Sequence, residues 1–277
     1  MRLLVAGSAR VDAGKTTFAS GLAAHLDAPA YKPRAGNDYW FDHDDVRHAV
    51  ADGRLYGKDV RTLAGLGEDP PEQRNPVHRL WTPAPGTGKG LLGRTDRAFL
   101  CDRVTLDGRD EFVVNGTVDL PPLLTETLPL ADATVVESLD EFNAVMADRH
   151  RAAFDAVAAR VAAEERVVVE SYADIARPLD GAVPDAVAVV EPARLRIYEG
   201  ERYAKACEVA SGSAREGRLE ERVERVLEFV EPWSRHRLRP LPGEHRDDPD
   251  AVAEAYADAY DALVGVAEAD GSSGDGA

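Results

Sequence analysis

The segment GSARVDAGKTT, Gly7 to Thr17, lies between an apolar run, Arg2 to Ala6 (RLLVA), and a stretch from Thr16 to Leu26 in which Phe18, Leu22 and Leu26 recur at helical spacing. A glycine-containing turn that leaves a buried strand and opens a helix gathers backbone N–H groups at a helix N-terminus, where an anion is stabilised. Gly14, Lys15 and Thr16 follow in the order that phosphate chemistry needs: a glycine for the turn, a lysine for the β- and γ-phosphates, a hydroxyl for magnesium. The spacing GxxxxGK[ST] would put a glycine at position 9, where Ala9 stands, so the loop is a longer variant counted from Gly7. A second glycine-lysine word, Gly86-Thr87-Gly88-Lys89, has Gly90 where the hydroxyl is needed and is expected to follow no strand; it reads as a flexible loop, the alternative being that Lys89 folds over a bound anion.

Further along, Pro29 to Lys32, Arg166 to Glu170 (RVVVE) and Ala186 to Val190 (AVAVV) read as strands. Val46–Asp52, Glu137–Ala163, Arg218–Glu231 and Pro249–Val266 read as helices, with a short strand at His236–Leu241. Strands alternating with helices predict an α/β fold: a mostly parallel sheet with helices on both faces. One domain is expected over residues 1–267. Within it, residues 53–130 read as a long irregular insertion with β-like pieces at 78–81, 97–106 and 111–114, and residues 205–267 as a C-terminal helical part. The last ten residues, EADGSSGDGA at 268–277, have nothing to bury and are expected to be disordered.

A formal charge of −17 argues against a nucleic-acid or anionic-membrane partner. Lysine, however, is confined to Lys15, Lys32, Lys58, Lys89 and Lys205 while Arg, Asp and Glu abound, a bias that suits a halophilic, salt-adapted surface, so the charge says little about partners. Cys101 and Cys207 are far apart and form no zinc or disulfide pattern. No apolar run approaches a membrane span and Met1 leads straight into a strand, so a cytoplasmic location is expected. Asn115-Gly116-Thr117 matches a glycosylation sequon, read here as a chance match.

Several short words point to one family. The loop carries Asp12 two residues before Gly14; Tyr31-Lys32-Pro33 ends the second strand; Asn75-Pro76-Val77-His78 precedes Trp81, Pro83 and Pro85; and an apolar strand ends at Glu170. In these words, over roughly residues 1 to 190, the chain resembles dethiobiotin synthetase and its relatives among the P-loop NTPases. It departs where that family has a glycine-rich turn, reading Glu170-Ser171-Tyr172-Ala173-Asp174, and the biotin-precursor substrate is not carried over. The nucleotide site then comprises Gly7, Arg10, Asp12, Ala13, Gly14, Lys15, Thr16 and Thr17, with Thr16, Glu170 and Asp44 around magnesium. Homodimerisation would follow from the resemblance alone.

Each candidate also has a plainer reading. Glu170, at the carboxyl end of a buried strand where open α/β sheets place ligands, either meets magnesium or caps the next turn. Asp44 is a second metal-proximal carboxylate or an acid at a helix N-terminus. Lys32 holds an acceptor anion or the γ-phosphoryl group, or is a solvated surface residue. Asp12 orients a nucleophile or holds a loop amide, and Arg10 acts as a charge-stabilising finger. Asn37, Tyr39, Trp40 and Trp81 form a substrate platform if exposed together, and core otherwise. No Asn-Lys-x-Asp guanine reader is present, so ATP is preferred to GTP. The leading expectation is an ATP-dependent phosphotransferase or ligase, using ATP and Mg2+ on a small anionic acceptor. A nucleotide-dependent switch is the alternative. A polynucleotide kinase ranks third, since Arg235, Arg237 and Arg239 cluster without a basic groove.

Overall fold

Residues 1–8, 14–84, 86, 88–211 and 221–271 are described by a computed structural model. In chain order the elements are β1 (Arg2–Ala6), α1 (Lys15–Leu26), β2 (Ala30–Tyr31), β3 (Arg34–Asp38), α2 (His43–Val50), α3 (Lys58–Ala64), α4 (Pro71–Arg74), β4 (Val77–Pro83), β5 (Arg97–Leu106), β6 (Arg109–Asn115), α5 (Pro122–Thr127), β7 (Thr134–Val136) and α6 (Leu139–Val145). A π turn at Met146–His150 leads into α7 (Arg151–Ala163), followed by β8 (Val167–Glu170), β9 (Ala186–Glu191), β10 (Arg194–Glu199), α8 (Gly200–Ala210), α9 (Val223–Val226), β11 (Ser234–Arg237), α10 (Gly243–Arg246) and α11 (Pro249–Gly271). They gather into two compact units, one of Met1–Pro33, Thr62–Glu68 and Arg160–Ala277, the other of Arg34–Arg61 and Asp69–Ala159. The fold is α/β with two mixed sheets.

The first unit holds a six-stranded sheet in the order β11-β10-β9-β1-β8-β2. The continuous apolar runs of β1, β8 and β9 form the parallel centre, with Leu4 opposite Val169 and Val187. The expectation of a mostly parallel sheet holds only for β2, β8, β1 and β9, because β10 and β11 run antiparallel. Only Pro192 and Ala193 separate β9 from β10, too short a link for a crossover, so the chain must turn back on itself. Leu3, Val5, Ala188, Leu195 and Ile197 pack with Phe18 and Leu22 of α1 and with Tyr260 and Leu263 of α11. The two helices touch closely at Gly21, where a Cβ would stand 2.4 Å from Val252 Cγ1 and 2.6 Å from the Tyr260 hydroxyl. On the opposite face, Tyr198 meets Tyr203 of α8 with ring centroids 5.8 Å apart.

Two boundaries of this unit differ from expectation. The supposed tail begins as helix, since α11 continues to Gly271, carried past residue 268 by Leu263, Val266 and Ala267 packed on the sheet; residues 272–277 lie outside the described residues. The helix expected at 218–231 reduces to α9, where only Val223 and Val226 are buried and Phe229 is exposed; 218–220 lie outside the described residues. Among the described residues no helix is long and apolar enough to cross a membrane.

The second unit takes in most of the supposed irregular insertion, begins earlier at Arg34, and has a sheet of its own in the order β3-β4-β5-β6-β7. β5 and β6 are joined through Asp107-Gly108, both at positive φ (52° and 74°), the backbone a two-residue hairpin turn requires. Val46, Val50, Leu80, Leu100, Phe112 and Leu124 cover one face; Trp81, Phe99, Val113, Val136 and Phe142 form a second cluster. The Gly86–Lys89 word does follow a strand, β4, but leads to antiparallel β5 and not to a helix; Thr87 lies outside the described residues. Arg79 forks onto both oxygens of fully buried Asp102 at 2.7 Å each, and His150 Nε2 meets Asp102 Oδ2 at 2.7 Å. Nearby, buried Arg103 donates to the Leu55 and Asn75 carbonyls at 2.7 and 2.6 Å, and its own burial pushes its pKa down to about 10.

Candidate functional site

At the carboxyl edge of the first unit's sheet, β1 gives way to Gly7 and Ser8. A Cβ on Gly7 would stand 3.0 Å from Lys15 Cδ and 3.1 Å from the Val190 carbonyl oxygen, so the missing side chain is what lets Lys15 lie over the strand end. Gly14, at φ 77°, opens α1 in the left-handed region, and its carbonyl accepts from Phe18 N at 3.0 Å. The candidate residues Arg10, Asp12 and Ala13 lie outside the described residues.

Four of the expected residues meet here. Lys15, 8% exposed, donates from Nζ to the Ala173 carbonyl at 2.7 Å. Thr16 Oγ1 donates to Glu170 Oε1 at 2.9 Å, and Lys32 Nζ reaches the same oxygen at 2.7 Å. Glu170 is fully buried, yet its Oε2 accepts no hydrogen bond among the described residues. Lys32 is 5% exposed, which excludes the reading of a solvated surface lysine. Thr17 follows in α1, half-buried.

A buried carboxylate with one oxygen doubly bonded and the other unused is arranged to accept one more donor or a cation. The Thr16 hydroxyl and the two Glu170 oxygens are hard oxygen ligands of the kind magnesium takes, and magnesium keeps several of its waters, so a short protein ligand set fits it. Among the described residues no group of three or more His, Cys, Asp or Glu side chains is placed to hold a metal by itself.

The loop after β8, Ser171 to Asp174, contains no glycine. Ala173 sits at φ 48°, a left-handed conformation that favours glycine, and presents its carbonyl to Lys15. This loop is tied to the segment before α9: Ala176 N donates to the Glu221 carbonyl and Val223 N to the Asp174 carbonyl, both at 2.8 Å, and Arg222 pairs with Asp174.

Sequence reasoning missed Glu191. It stands at the end of β9 as Glu170 does at the end of β8, accepts from Ser8 Oγ at 2.8 Å, and pairs with Arg194 and Arg196 at 3.1 and 2.9 Å. The signal was in the chain, since both strands read as a valine run closed by glutamate.

The remaining candidates belong to the second unit. Asp44 is exposed in the first turn of α2, the position of an acid at a helix N-terminus. The supposed aromatic platform divides. Trp81 is core, 7% exposed under the Arg97 guanidinium; Asn37 is buried and donates to Asp45 at 2.6 Å; Tyr39 is half-buried against His43. Trp40, 73% exposed, lines an open groove with Phe41, Asp42, Asp45 and Lys58. Burial raises the Asp42 pKa, helped by the charges of Asp45, Asp38 and Asp59 and opposed by a backbone hydrogen bond. The Asn75-Pro76 word serves the fold: Asn75 is buried, accepts from Arg103 and donates to the Val77 carbonyl at 2.9 Å. Comparison with protein-family models, with curated proteins and with solved structures gives no match.

Proposed function

We propose that Gly7–Thr17 binds a magnesium nucleoside triphosphate, ATP by preference, and that the chain passes the γ-phosphoryl group to a small anionic acceptor. The observation that carries this reading is the convergence of Thr16 and Lys32 on one oxygen of buried Glu170, whose other oxygen has no partner among the described residues, beside the left-handed Gly14 that opens α1. Lys15 would exchange the Ala173 carbonyl for phosphate oxygens, for which its ammonium is the stronger partner. Thr16 and Glu170 would hold magnesium, which when bound neutralises charge on the phosphate oxygens. Lys32 is the ammonium beside Glu170 that would orient a carboxylate or phosphoryl acceptor. Catalysis of this kind rests on positioning and preorganised charge.

A second reading has its own support. Because Lys15 holds the loop that is tied to residues 221–223, its transfer to phosphate would loosen that loop, as a nucleotide-dependent switch requires.

Thermal unfolding with and without Mg-ATP, in the native chain and in Lys15→Ala, tests the binding site. At a hundredfold excess over Kd the nucleotide should stabilise the native chain by about 2.7 kcal/mol and the variant by far less; equal stabilisation of both would overturn the site. Release of ADP that rises with an added small carboxylate supports phosphoryl transfer. Slow, acceptor-independent hydrolysis with nucleotide-dependent proteolysis near residues 221–226 supports the switch.

A further inference from the structure

The sequence clusters Arg235, Arg237 and Arg239 at a short strand expected over His236–Leu241, with no basic groove around them; the strand observed, β11, is Ser234–Arg237, and its register adds two further arginines. Arg194 of β10 stands directly opposite Arg237 of β11, and Arg196 opposite Arg235. Leu195 and Ile197, the alternate residues of β10, are buried against α1 and α11, so the period of two puts Arg194 and Arg196 on the other face with their cross-strand partners. Four guanidinium groups thus share one side of a two-strand ladder at the edge of the sheet, in a chain whose formal charge is −17. Like charges directly opposite one another destabilise a sheet. One charged residue is enough to blunt an edge strand, and β10 is not an edge, so protection against edge pairing does not account for two opposed pairs.

The neutralisation is partial. Glu191 serves both Arg194 and Arg196, exposed Glu231 serves Arg235 at 3.3 Å, and Arg237 makes no ion pair among the described residues. Among the described residues, the buried Nε of Arg196 makes no hydrogen bond, nor does the hydroxyl of Tyr198, a residue only 1% exposed. Tyr198 lies two residues beyond Arg196 in β10 and so on the same face of the sheet.

We infer that the β10–β11 ladder is a binding site for a compact phosphate-bearing ligand, a di- or triphosphate group that several guanidinium groups hold at once. Guanidinium forks match phosphate oxygens two at a time, and exposed Arg194, Arg235 and Arg237 present theirs to solvent. A long nucleic acid is disfavoured, because it would lie along a chain of strongly negative net charge, whereas a compact anion meets only the local cluster. The site does not depend on what Gly7–Thr17 binds.

The test is calorimetric titration of magnesium-free tripolyphosphate into Lys15→Ala, which removes the loop's phosphate-holding lysine, and into the same chain carrying Arg235→Ala, Arg237→Ala or Arg196→Ala. Arg235 and Arg237 are exposed, so their variants keep the fold. Each loss of a guanidinium should weaken binding roughly tenfold. Unchanged affinity in all three variants would overturn the assignment. Tighter binding of an oligothymidylate than of tripolyphosphate would overturn the compact ligand in favour of a nucleic acid, and equal binding of sulfate and tripolyphosphate would reduce the site to a general anion patch.

Discussion

Among the described residues each unit buries one carboxylate completely, Asp102 and Glu170, and the two are treated differently. Asp102 in the second unit has both oxygens occupied, by the fork of Arg79 and by His150. Arg79 in turn lies over the rings of Trp81, Phe99 and Phe142 at 5.5, 5.3 and 5.0 Å. Burial alone would raise the Asp102 pKa, but Arg79 and His150 outweigh it and hold the carboxyl well below the usual range. Glu170 in the first unit gives one oxygen to two donors and, among the described residues, the other to none. A saturated buried charge is part of the core; one with an oxygen to spare can accept a further donor or a cation.

The largest effect expected from this contrast is on stability. Asp102→Ala leaves a guanidinium buried without its partner and should cost roughly 3–5 kcal/mol, read from urea unfolding, while nucleotide affinity stays intact. The sign of the pH dependence follows. Because the folded carboxyl is held below its unfolded value of about 3.9, its stabilisation is complete above that pH and is lost as pH falls through the lower folded value. Asp102→Asn should therefore be less stable at neutral pH and show a flatter acid limb below about pH 4.

Glu170→Gln should do the reverse. Its amide oxygen still accepts from Thr16 and Lys32, so the cost should be about 1–3 kcal/mol, whereas the magnesium-dependent part of nucleotide stabilisation should disappear. A variant that binds Mg-ATP like the native chain, or that unfolds as readily as Asp102→Ala, would break the comparison. The smallest effect sharpens it. Ala173→Gly should raise stability by up to about 1 kcal/mol by relieving φ 48° while keeping the carbonyl that Lys15 uses; a loss of stability would mean that the Ala173 methyl contributes packing.

Much of the first unit could be read directly from the chain. The apolar run of β1, the glycine before Lys15, the helical spacing of Phe18 and Leu22 and the valine run ending at Glu170 are all local patterns, and the strands and helix they predict are present. Lys32 was legible as a candidate but not as Glu170's partner, since 138 residues separate the two. The second unit was read as an insertion because its strands are interrupted by prolines and glycines. What orders it is non-local: Asp102 meets Arg79 across 23 residues and His150 across 48.

By itself the sequence determined the central strands and first helix of the first unit, where the chain turns tightly there, and which side chains have the chemistry to be candidates for a phosphate or metal site, because those depend on periodicity and on side chains a few positions apart. Only the tertiary structure decided that β10 turns back against β9, that four arginines face one another across β10 and β11, and that Thr16 and Lys32 share one oxygen of Glu170. Register and burial are properties of pairs of distant segments, and no local pattern encodes them.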